Sequence, residues 1–173
     1  GTELVAKACI KNSCSLIFPS TTSVYGVQTA VVDENCSEEG LKPQSPYAES
    51  KLQAEKLLDE LGRSYGLRFL VCRLGTIFGI SAGMRFHTAI NKFCWQAVLG
   101  QPITVWKTAL HQNRPYLDLG DAERAFRHII KNRLFNNTIN NVVTFNSTVN
   151  DIITVIKQFV PNLSITFVDT KIM

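Results

Sequence analysis

The sequence predicts an α/β fold with a mainly parallel sheet, and three observations lead to this prediction. Segments with helical periodicity alternate with short apolar runs of strand length along the 173 residues. The hydrophobic fraction of 45% is enough for a globular core. A charged fraction of 18% and a net charge of +4, with no run of Lys and Arg, argue against disordered and nucleic-acid-binding classes.

The first elements are two helices and two strands. Apolar residues three and four apart predict a helix over residues 1–12, and an apolar run predicts a strand over 15–20. A long amphipathic helix is predicted over 46–65, because a proline opens it and Gly66 follows it. The apolar run at 67–74 predicts the next strand.

Loops and short elements follow the same pattern. Residues 21–45 form a polar loop too long for a plain connection, which indicates a functional loop. Residues 75–85 are predicted as a loop interrupted by glycines. The remaining predicted helices are 86–99, 121–133 and 148–160, the last with Thr148 as its N-cap. The remaining predicted strands are 103–106, 115–119, 141–145 and 164–168, and residues 136–141 are predicted as a polar loop.

Tyr47 and Lys51 stand four residues apart near the start of the long helix. This spacing places a phenol and an ammonium on one helix face, where the cation favours the ionised phenolate and suits acid–base chemistry. The pair alone is a weak signal, and a solvated helix face explains it as well.

A cluster of hydroxyls strengthens the signal. The sequence Ser-Thr-Thr-Ser at 20–23 follows the first strand, so it lies at the carboxyl end of that strand, where ligands bind in open α/β sheets. Ordinary turn residues are the alternative reading.

Taken together, the sequence resembles the extended short-chain dehydrogenase/reductases, in the NAD-dependent nucleotide-sugar epimerase/dehydratase branch. The matching residues run from Gly1-Thr2 through the blocks S-T-T-S-V-Y-G, S-P-Y-A-E-S-K, R-L-G-T-I-F-G, G-Q-P-I-T-V-W and Q-N-R-P-Y-L-D-L-G-D, and the resemblance covers about residues 1–130. Their order and spacing are far more specific than the Tyr–Lys pair alone.

The resemblance implies roles for individual residues. Tyr47 would exchange a proton with a sugar hydroxyl while hydride passes between the sugar carbon and the nicotinamide, and Thr21 would hydrogen-bond the same oxygen. Lys51 would hold the ribose hydroxyls of NAD, with NADP as an alternative cofactor. The implied cofactor contacts are Tyr47, Lys51, Leu74, Gly75 and Thr76. The implied substrate contacts are Thr22, Thr76 and Arg114, of which Arg114 would bind the sugar-nucleotide diphosphate because its planar fork suits phosphate oxygens. Without the resemblance, Arg114 reads as a surface arginine.

Several positions depart from the family pattern. Thr22 and Ser23 replace the Asp-Glu pair of the dehydratases, which argues against dehydration. Thr76 replaces a common Asn, Pro115 a common Asp and Asp118 a common His, so the substrate stays open. None of the ten glycines forms the G-x-x-G-x-x-G turn that cradles the NAD pyrophosphate, and we expect that segment to precede Gly1 in a longer protein.

The predicted architecture is therefore the C-terminal part of a Rossmann-like doubly wound parallel sheet plus part of a smaller α/β substrate lobe. Residues 1–79 and 114–146 are assigned to the dinucleotide-binding domain, and residues 80–113 and 147–173 to the substrate lobe. The leading function is an NAD(P)-dependent nucleotide-sugar epimerase. A reductase or dehydrogenase on another substrate and a non-catalytic remnant of the fold are the alternatives.

Partners and location complete the expectations. The resemblance implies a nucleotide-sugar substrate and a possible homodimer, and we expect no nucleic-acid or membrane partner. Five widely spaced cysteines without paired spacing favour a reducing, cytoplasmic compartment. The three histidines lack metal-ligand spacing, so no metal site is predicted.

Overall fold

A computed structural model of the chain describes residues 1–27 and 31–169. The helices are α1 (Thr2–Lys11), α2 (Pro46–Tyr65), α3 (Ala89–Val98), α4 (Leu119–Lys131) and α5 (Val149–Phe159). The strands are β1 (Leu16–Thr21), β2 (Phe69–Leu74), β3 (Thr76–Phe78), β4 (Ile103–Trp106), β5 (Arg114–Asp118), β6 (Thr138–Val142), β7 (Phe145–Ser147) and β8 (Ile165–Val168). Helices and strands alternate as predicted, and the α/β class is confirmed.

The chain divides into two compact units. The first comprises Gly1–Gly75 and Ala122–Val142, and the second comprises Thr76–Asp121 and the residues from Val143 onward. The predicted domains place the boundaries elsewhere, since residues 76–79, 114–121 and 143–146 were assigned to the dinucleotide-binding domain. Backbone pairing explains the observed grouping, because β3 pairs with β5 in parallel within the second unit.

The first unit is built on a three-stranded parallel sheet in the order β1-β2-β6. Alternate side chains of β2 pack on opposite faces, as a sheet covered on both sides requires. Phe69 and Val71 join a core with Leu58 of α2 and Ala6 of α1. On the other face, Leu70 and Cys72 pack with Ile129 of α4.

Helix α2 has the predicted bounds because local sequence signals mark both its start and its end. The side chain of Ser45 accepts a hydrogen bond from the backbone N–H of Ala48, and Pro46 occupies the first turn. Gly66 ends the helix in the left-handed region at φ 69°, where glycine meets no steric penalty. The helix packs along β1 and β2 and carries Tyr47 and Lys51.

Two predicted loops contain strands. Strand β6 covers residues 138–142, most of which fall in the predicted polar loop at 136–141. The strand forms because its backbone pairs with β2 in parallel register, with Leu74 opposite Val142. Residues 76–78, placed in the loop 75–85, form β3 through pairing with β5. The single strand predicted at 141–145 is replaced by β6 and β7, which belong to different units. In β6, tertiary pairing outweighs the weak strand propensity of Asn140 and Asn141.

The second unit contains two small sheets, β3-β5-β7 and β4-β8. Its core gathers apolar side chains of α3, α5, β4 and β5, among them Phe93, Val105, Tyr116 and Ile153. Helix α5 begins at a capping box in which Thr148 and Asp151 exchange hydrogen bonds with each other's backbone N–H, which confirms the predicted N-cap.

Candidate functional site

Tyr47 and Lys51 lie on one face in the first two turns of α2. The Lys51 ammonium donates a hydrogen bond to the carbonyl of Pro19 in β1 at 2.7 Å. It lies 4.8 Å from the Phe18 ring centroid and 5.9 Å from the Tyr47 ring centroid. The Tyr47 side chain is 57% exposed, so its phenol is accessible to a ligand. The geometry thus brings together an anchored ammonium and an open phenol near the carboxyl end of β1.

Thr21 is the last residue of β1, and it is buried. Its hydroxyl caps the short 3-10 turn Thr22–Tyr25 by accepting from the N–H of Ser23 at 3.1 Å, and it donates to the exposed Ser23 hydroxyl at 3.1 Å. The Thr22 hydroxyl donates to the carbonyl of Leu74 at 3.3 Å and so joins the ends of β1 and β2. Both threonines therefore have structural partners in the turn after β1.

The carboxyl end of β2 lies beside that of β1, since Thr21 stands opposite Leu74 in the parallel register. Leu74 is half-buried and Gly75 is buried. The Gly75 N–H donates to the carbonyl of Val142 at 3.0 Å, so this group already has an acceptor. The two strand ends and the turn after β1 form one edge of the first unit's sheet.

Thr76 and Arg114 belong to the second unit. Thr76 is exposed at the start of β3, with Tyr116 as its pairing partner on β5. Arg114 is exposed at the start of β5, where its guanidinium donates to the Gln112 side chain at 2.7 Å. An exposed guanidinium held by one neutral partner keeps donors for an anionic ligand.

A buried polar cluster beneath Lys51 escaped the sequence analysis. The Glu55 carboxylate is 4% exposed and accepts hydrogen bonds from Arg73 Nε at 3.2 Å and from Arg73 Nη2 at 2.7 Å. It also accepts a hydrogen bond from the Ser20 hydroxyl. The Arg73 guanidinium carbon lies 4.9 Å from the centroid of the Tyr25 ring, whose hydroxyl donates to Asn141 at 3.0 Å. One signal could have revealed the cluster: Arg73 is a charge inside the apolar strand F-L-V-C-R-L, and a buried charge requires a partner.

Burial shapes the electrostatics of this region. Burial alone would lower the pKa of Arg73, but the hydrogen bonds and charge of Glu55, with a contribution from Tyr25, raise that pKa above its usual value. Arg73 therefore carries its positive charge at neutral pH. Burial also raises the pKa of the neighbouring Cys72 thiol to about 11, so Cys72 acts as an apolar core residue.

The long loop after β1 is held to the first unit at several points. The N–H of Asn141 donates to the Glu34 carboxylate at 2.5 Å, and Lys56 of α2 pairs with Glu38 at 2.5 Å. Gly26, at φ 66°, lies so close to Lys42 that a Cβ there would stand 2.0 Å from the Lys42 carbonyl oxygen. Residues 28–30 of the predicted loop lie outside the described residues.

The structure describes residues 1–27 and 31–169. Within these ranges, none of the helices combines the length and the apolar character needed to cross a membrane. The same ranges hold no group of three or more His, Cys, Asp or Glu side chains arranged to bind a metal ion.

Known proteins share this fold and part of this sequence. The chain is 30% identical over 142 residues to the uncharacterised UDP-glucose epimerase YtcB of Bacillus subtilis (strain 168), covering 80% of this chain and 42% of that protein. The structure of the Thermus thermophilus UDP-glucose 4-epimerase with NAD matches 95% of this chain and 55% of its own, at 25% identity and a TM-score of 0.76. The Bacillus cereus UDP-glucuronic acid 4-epimerase with UDP-glucuronic acid and NAD matches 98% of this chain and 53% of its own, at 22% identity and a TM-score of 0.84.

The chain thus spans about half the length of the relatives it matches. Their structures confirm the Rossmann-like α/β fold. The sequence profile of the NAD-dependent epimerase/dehydratase family matches residues 1–142, which hold the whole first unit together with Thr76–Asp121 of the second. On this match, the chain belongs to the NAD-dependent epimerase/dehydratase family.

Proposed function

We propose that this chain is part of an NAD(P)-dependent nucleotide-sugar epimerase in which Thr21, Tyr47 and Lys51 form the catalytic set. The observation that carries the proposal is the placement of Lys51. Its ammonium is fixed to the Pro19 carbonyl at 2.7 Å and lies 5.9 Å from the ring of the exposed Tyr47. Helix α2, which carries this pair, packs against the hydroxyl-rich turn that follows β1.

The chemistry of Lys51 fits the cofactor. An ammonium has three donor hydrogens, and in the described part of the chain Pro19 is its hydrogen-bond partner. The remaining donors suit the ribose hydroxyls of NAD, while Leu74, Gly75 and Thr76 would border the nicotinamide. When bound, NAD supplies a reversible hydride acceptor for the sugar carbon.

Tyr47 is the proposed acid–base group. As the phenolate it takes the proton of the sugar hydroxyl, and it returns that proton when the sugar is reduced again. Thr21 would hydrogen-bond the same sugar oxygen after its hydroxyl rotates away from Ser23, whose own hydroxyl is exposed and can turn to water.

The proposed substrate is a sugar nucleotide. The relatives described above are epimerases of UDP-sugars by name, and the Arg114 guanidinium is exposed and suited to a diphosphate. Thr22 and Thr76 are the other proposed substrate contacts. Loss of the Asp-Glu pair at Thr22 and Ser23 speaks for epimerisation over dehydration.

A reductase or dehydrogenase of the same family is the second candidate. The observation that favours it is the set of changed substrate positions, because Thr76, Pro115 and Asp118 all differ from the epimerase pattern. A non-catalytic remnant is the third candidate, and the retained Thr21, Tyr47 and Lys51 speak against it.

A homodimer and a cytoplasmic location are also part of the proposal. The α1 residues Leu4 and Val5 are 74% and 52% exposed, which leaves an apolar surface suited to a second copy of the chain in a homodimer. All five cysteines are free thiols, which supports a cytoplasmic location.

Replacing Tyr47 by Phe in the full-length protein tests the function. We expect kcat for sugar-nucleotide epimerisation to fall by about 10²–10⁴-fold, because the proton-transfer group is lost. The Tm and the Kd for NAD should stay near the wild-type values. Tyr65→Phe is the matched control, since Tyr65 is another exposed tyrosine at the far end of α2. Turnover of Tyr47→Phe within a factor of a few of wild type would refute the acid–base role.

A further inference from the structure

The buried cluster beneath Lys51 joins three elements of the first unit. Glu55 comes from α2, Ser20 from β1 and Arg73 from β2, and Ser20 stands opposite Arg73 in the parallel register. Ser20 is 3% exposed, Glu55 4% and Arg73 2%. The carboxylate therefore receives donors from two neighbouring strands at the same level of the sheet.

Helical spacing connects this cluster to the proposed catalytic residues. Tyr47, Lys51 and Glu55 are four residues apart in succession, so they occupy one face of α2 in consecutive turns. Lys51 binds the carbonyl of Pro19, which precedes Ser20. The face of α2 that carries Tyr47 is thus fixed to β1 in two successive turns, once through Lys51 and once through Glu55.

We infer that Glu55 is a positioning residue, whose buried hydrogen bonds to Ser20 and Arg73 fix the rotation and height of α2 so that Tyr47 and Lys51 meet the hydroxyls at the carboxyl end of β1. This inference rests on the proposed function. It adds two strand residues, Ser20 and Arg73, and one helix residue to the machinery.

The physical argument is that the cluster contributes geometry more than stability. Removing two charges from water offsets most of their attraction, and apolar side chains of the same volume would pack at least as well. Directional bonds, unlike apolar contacts, are satisfied at one helix rotation only. A shift of about 1 Å in a reacting group can cost about a hundredfold in rate, so such a constraint matters at Tyr47.

The test compares four variants of the full-length protein. Glu55→Gln removes the charge, and Ser20→Ala removes one donor while leaving the Glu55–Arg73 pair intact. Asp59→Asn is the matched control, because it removes an exposed carboxylate, paired with Arg63, from the same helix. Leu61→Ala is a stability control, since it removes a buried side chain of α2 that lies outside the cluster.

Each variant is assayed below its own unfolding transition. We expect kcat to fall about 10–100-fold in Glu55→Gln and a few-fold in Ser20→Ala, with the KM for the nucleotide sugar within about twofold of wild type. The NMR signals of the Lys51 Cε methylene should shift in both variants. Asp59→Asn and Leu61→Ala should keep the wild-type kcat and Lys51 signals, even where Leu61→Ala lowers the Tm.

If Glu55→Gln does not fold, Ser20→Ala and Glu55→Asp decide, because Glu55→Asp keeps the charge and shortens the side chain by one methylene. An unchanged kcat with unchanged Lys51 signals in these folded variants overturns the inference. An equal loss of kcat in Leu61→Ala also overturns it, since the effect would then be general destabilisation.

The Tyr47→Phe result separates this inference from the proposed function. If Tyr47→Phe loses turnover and the Glu55 and Ser20 variants keep it, the positioning role alone is refuted. If Tyr47→Phe keeps turnover, the proposed function is refuted, and the positioning role falls with it.

Discussion

Gly26 shows how a single residue determines the path of the loop that follows the hydroxyl-rich turn. Its φ of 66° and ψ of −153° lie in a region that only glycine occupies readily. A Cβ at Gly26 would also stand 2.0 Å from the Lys42 carbonyl oxygen, inside any real contact distance. The glycine of the V-Y-G block is therefore required because the loop returns to pack residue 42 directly against it.

Gly26→Ala should accordingly destabilise the first unit. Backbone strain of this kind costs about 1–3 kcal/mol, and the displaced Lys42 segment adds to it. Gly66→Ala is the control, because Gly66 also has a positive φ, 69°, but a Cβ there meets nothing within 4 Å. Thermal and urea unfolding of the two variants should rank Gly26→Ala as the less stable. An equal loss of stability in both would show that the Lys42 contact is unimportant.

The candidate-site residues that could be predicted are those whose evidence lies within a short stretch of sequence. Tyr47 and Lys51 could be predicted because both lie on one helix, four residues apart. Glu55 and Arg73 could not be paired from the sequence, because eighteen residues and a turn separate them, and only the packing of α2 on β2 brings them within 2.7 Å. The hydrogen-bond partners of Thr21 and Thr22 could not be predicted from the sequence either. They depend on the turn after β1 and on the register of β1 with β2.

At the scale of elements, helix α2 and strand β4 were predicted with their observed bounds, whereas β3 and most of β6 were predicted as loops. Ser45, Pro46 and Gly66 define α2 locally, and its predicted bounds of 46–65 are those observed. Strand β6 contains two asparagines, which have weak strand propensity, and β3 has only three residues. Both strands exist because β2 and β5 supply their hydrogen-bond partners. Such pairing joins residues far apart in sequence, so a local pattern does not contain it.

The capping box of α5 makes the stability of this helix depend on pH. The side-chain and backbone hydrogen bonds of Thr148 hold the pKa of Asp151 below its usual value. A carboxyl with a lowered folded-state pKa adds stability above its unfolded-state pKa of about 3.9, and that contribution disappears as the pH falls through the folded-state pKa.

We expect Asp151→Asn to lower the Tm at pH 7, and we expect this loss to shrink as the pH falls through the folded-state pKa, where the wild-type carboxyl becomes protonated. Thr148→Ala should cost about 1 kcal/mol at pH 7, because a Thr N-cap is lost. Thermal unfolding at several pH values measures both. The exposed Glu123, which pairs with Arg127 in α4, provides the control variant Glu123→Gln. A loss of Tm in Asp151→Asn that is the same at pH 2 and pH 7 would contradict the capping explanation.

At the scale of the whole molecule, the residues with proposed roles are distributed over the two units. The first unit holds the residues proposed for acid–base chemistry and, apart from Thr76, those proposed for NAD, on a parallel sheet with a core on both faces. The second unit has a separate core and carries Arg114, the residue proposed for the diphosphate. Family membership could be predicted from the order of the sequence blocks, whereas the boundaries of the units depend on which strands pair.

This division predicts that the two binding functions can be changed independently. In the full-length protein, Arg114→Ala should raise the KM for nucleotide sugars at least tenfold, because a guanidinium bound to a diphosphate makes strong charge-assisted hydrogen bonds. The Kd for NAD should stay within about twofold of wild type, because Lys51 and Tyr47 belong to the first unit. Arg114→Lys should recover only part of the affinity, since an ammonium lacks the planar fork.

The exposed Arg63 of α2, which pairs with Asp59 on the surface of the first unit, gives the matched control Arg63→Ala, and this variant should leave both constants unchanged. KM values for a panel of nucleotide sugars, with NAD binding measured by calorimetry, check the whole set. The result also chooses between the leading functions, because a reductase acting on a small hydroxyl compound without phosphate has no diphosphate for Arg114 to bind. An unchanged KM across an active panel would remove the diphosphate role from Arg114, and a parallel loss of NAD affinity would show that Arg114 serves the cofactor instead.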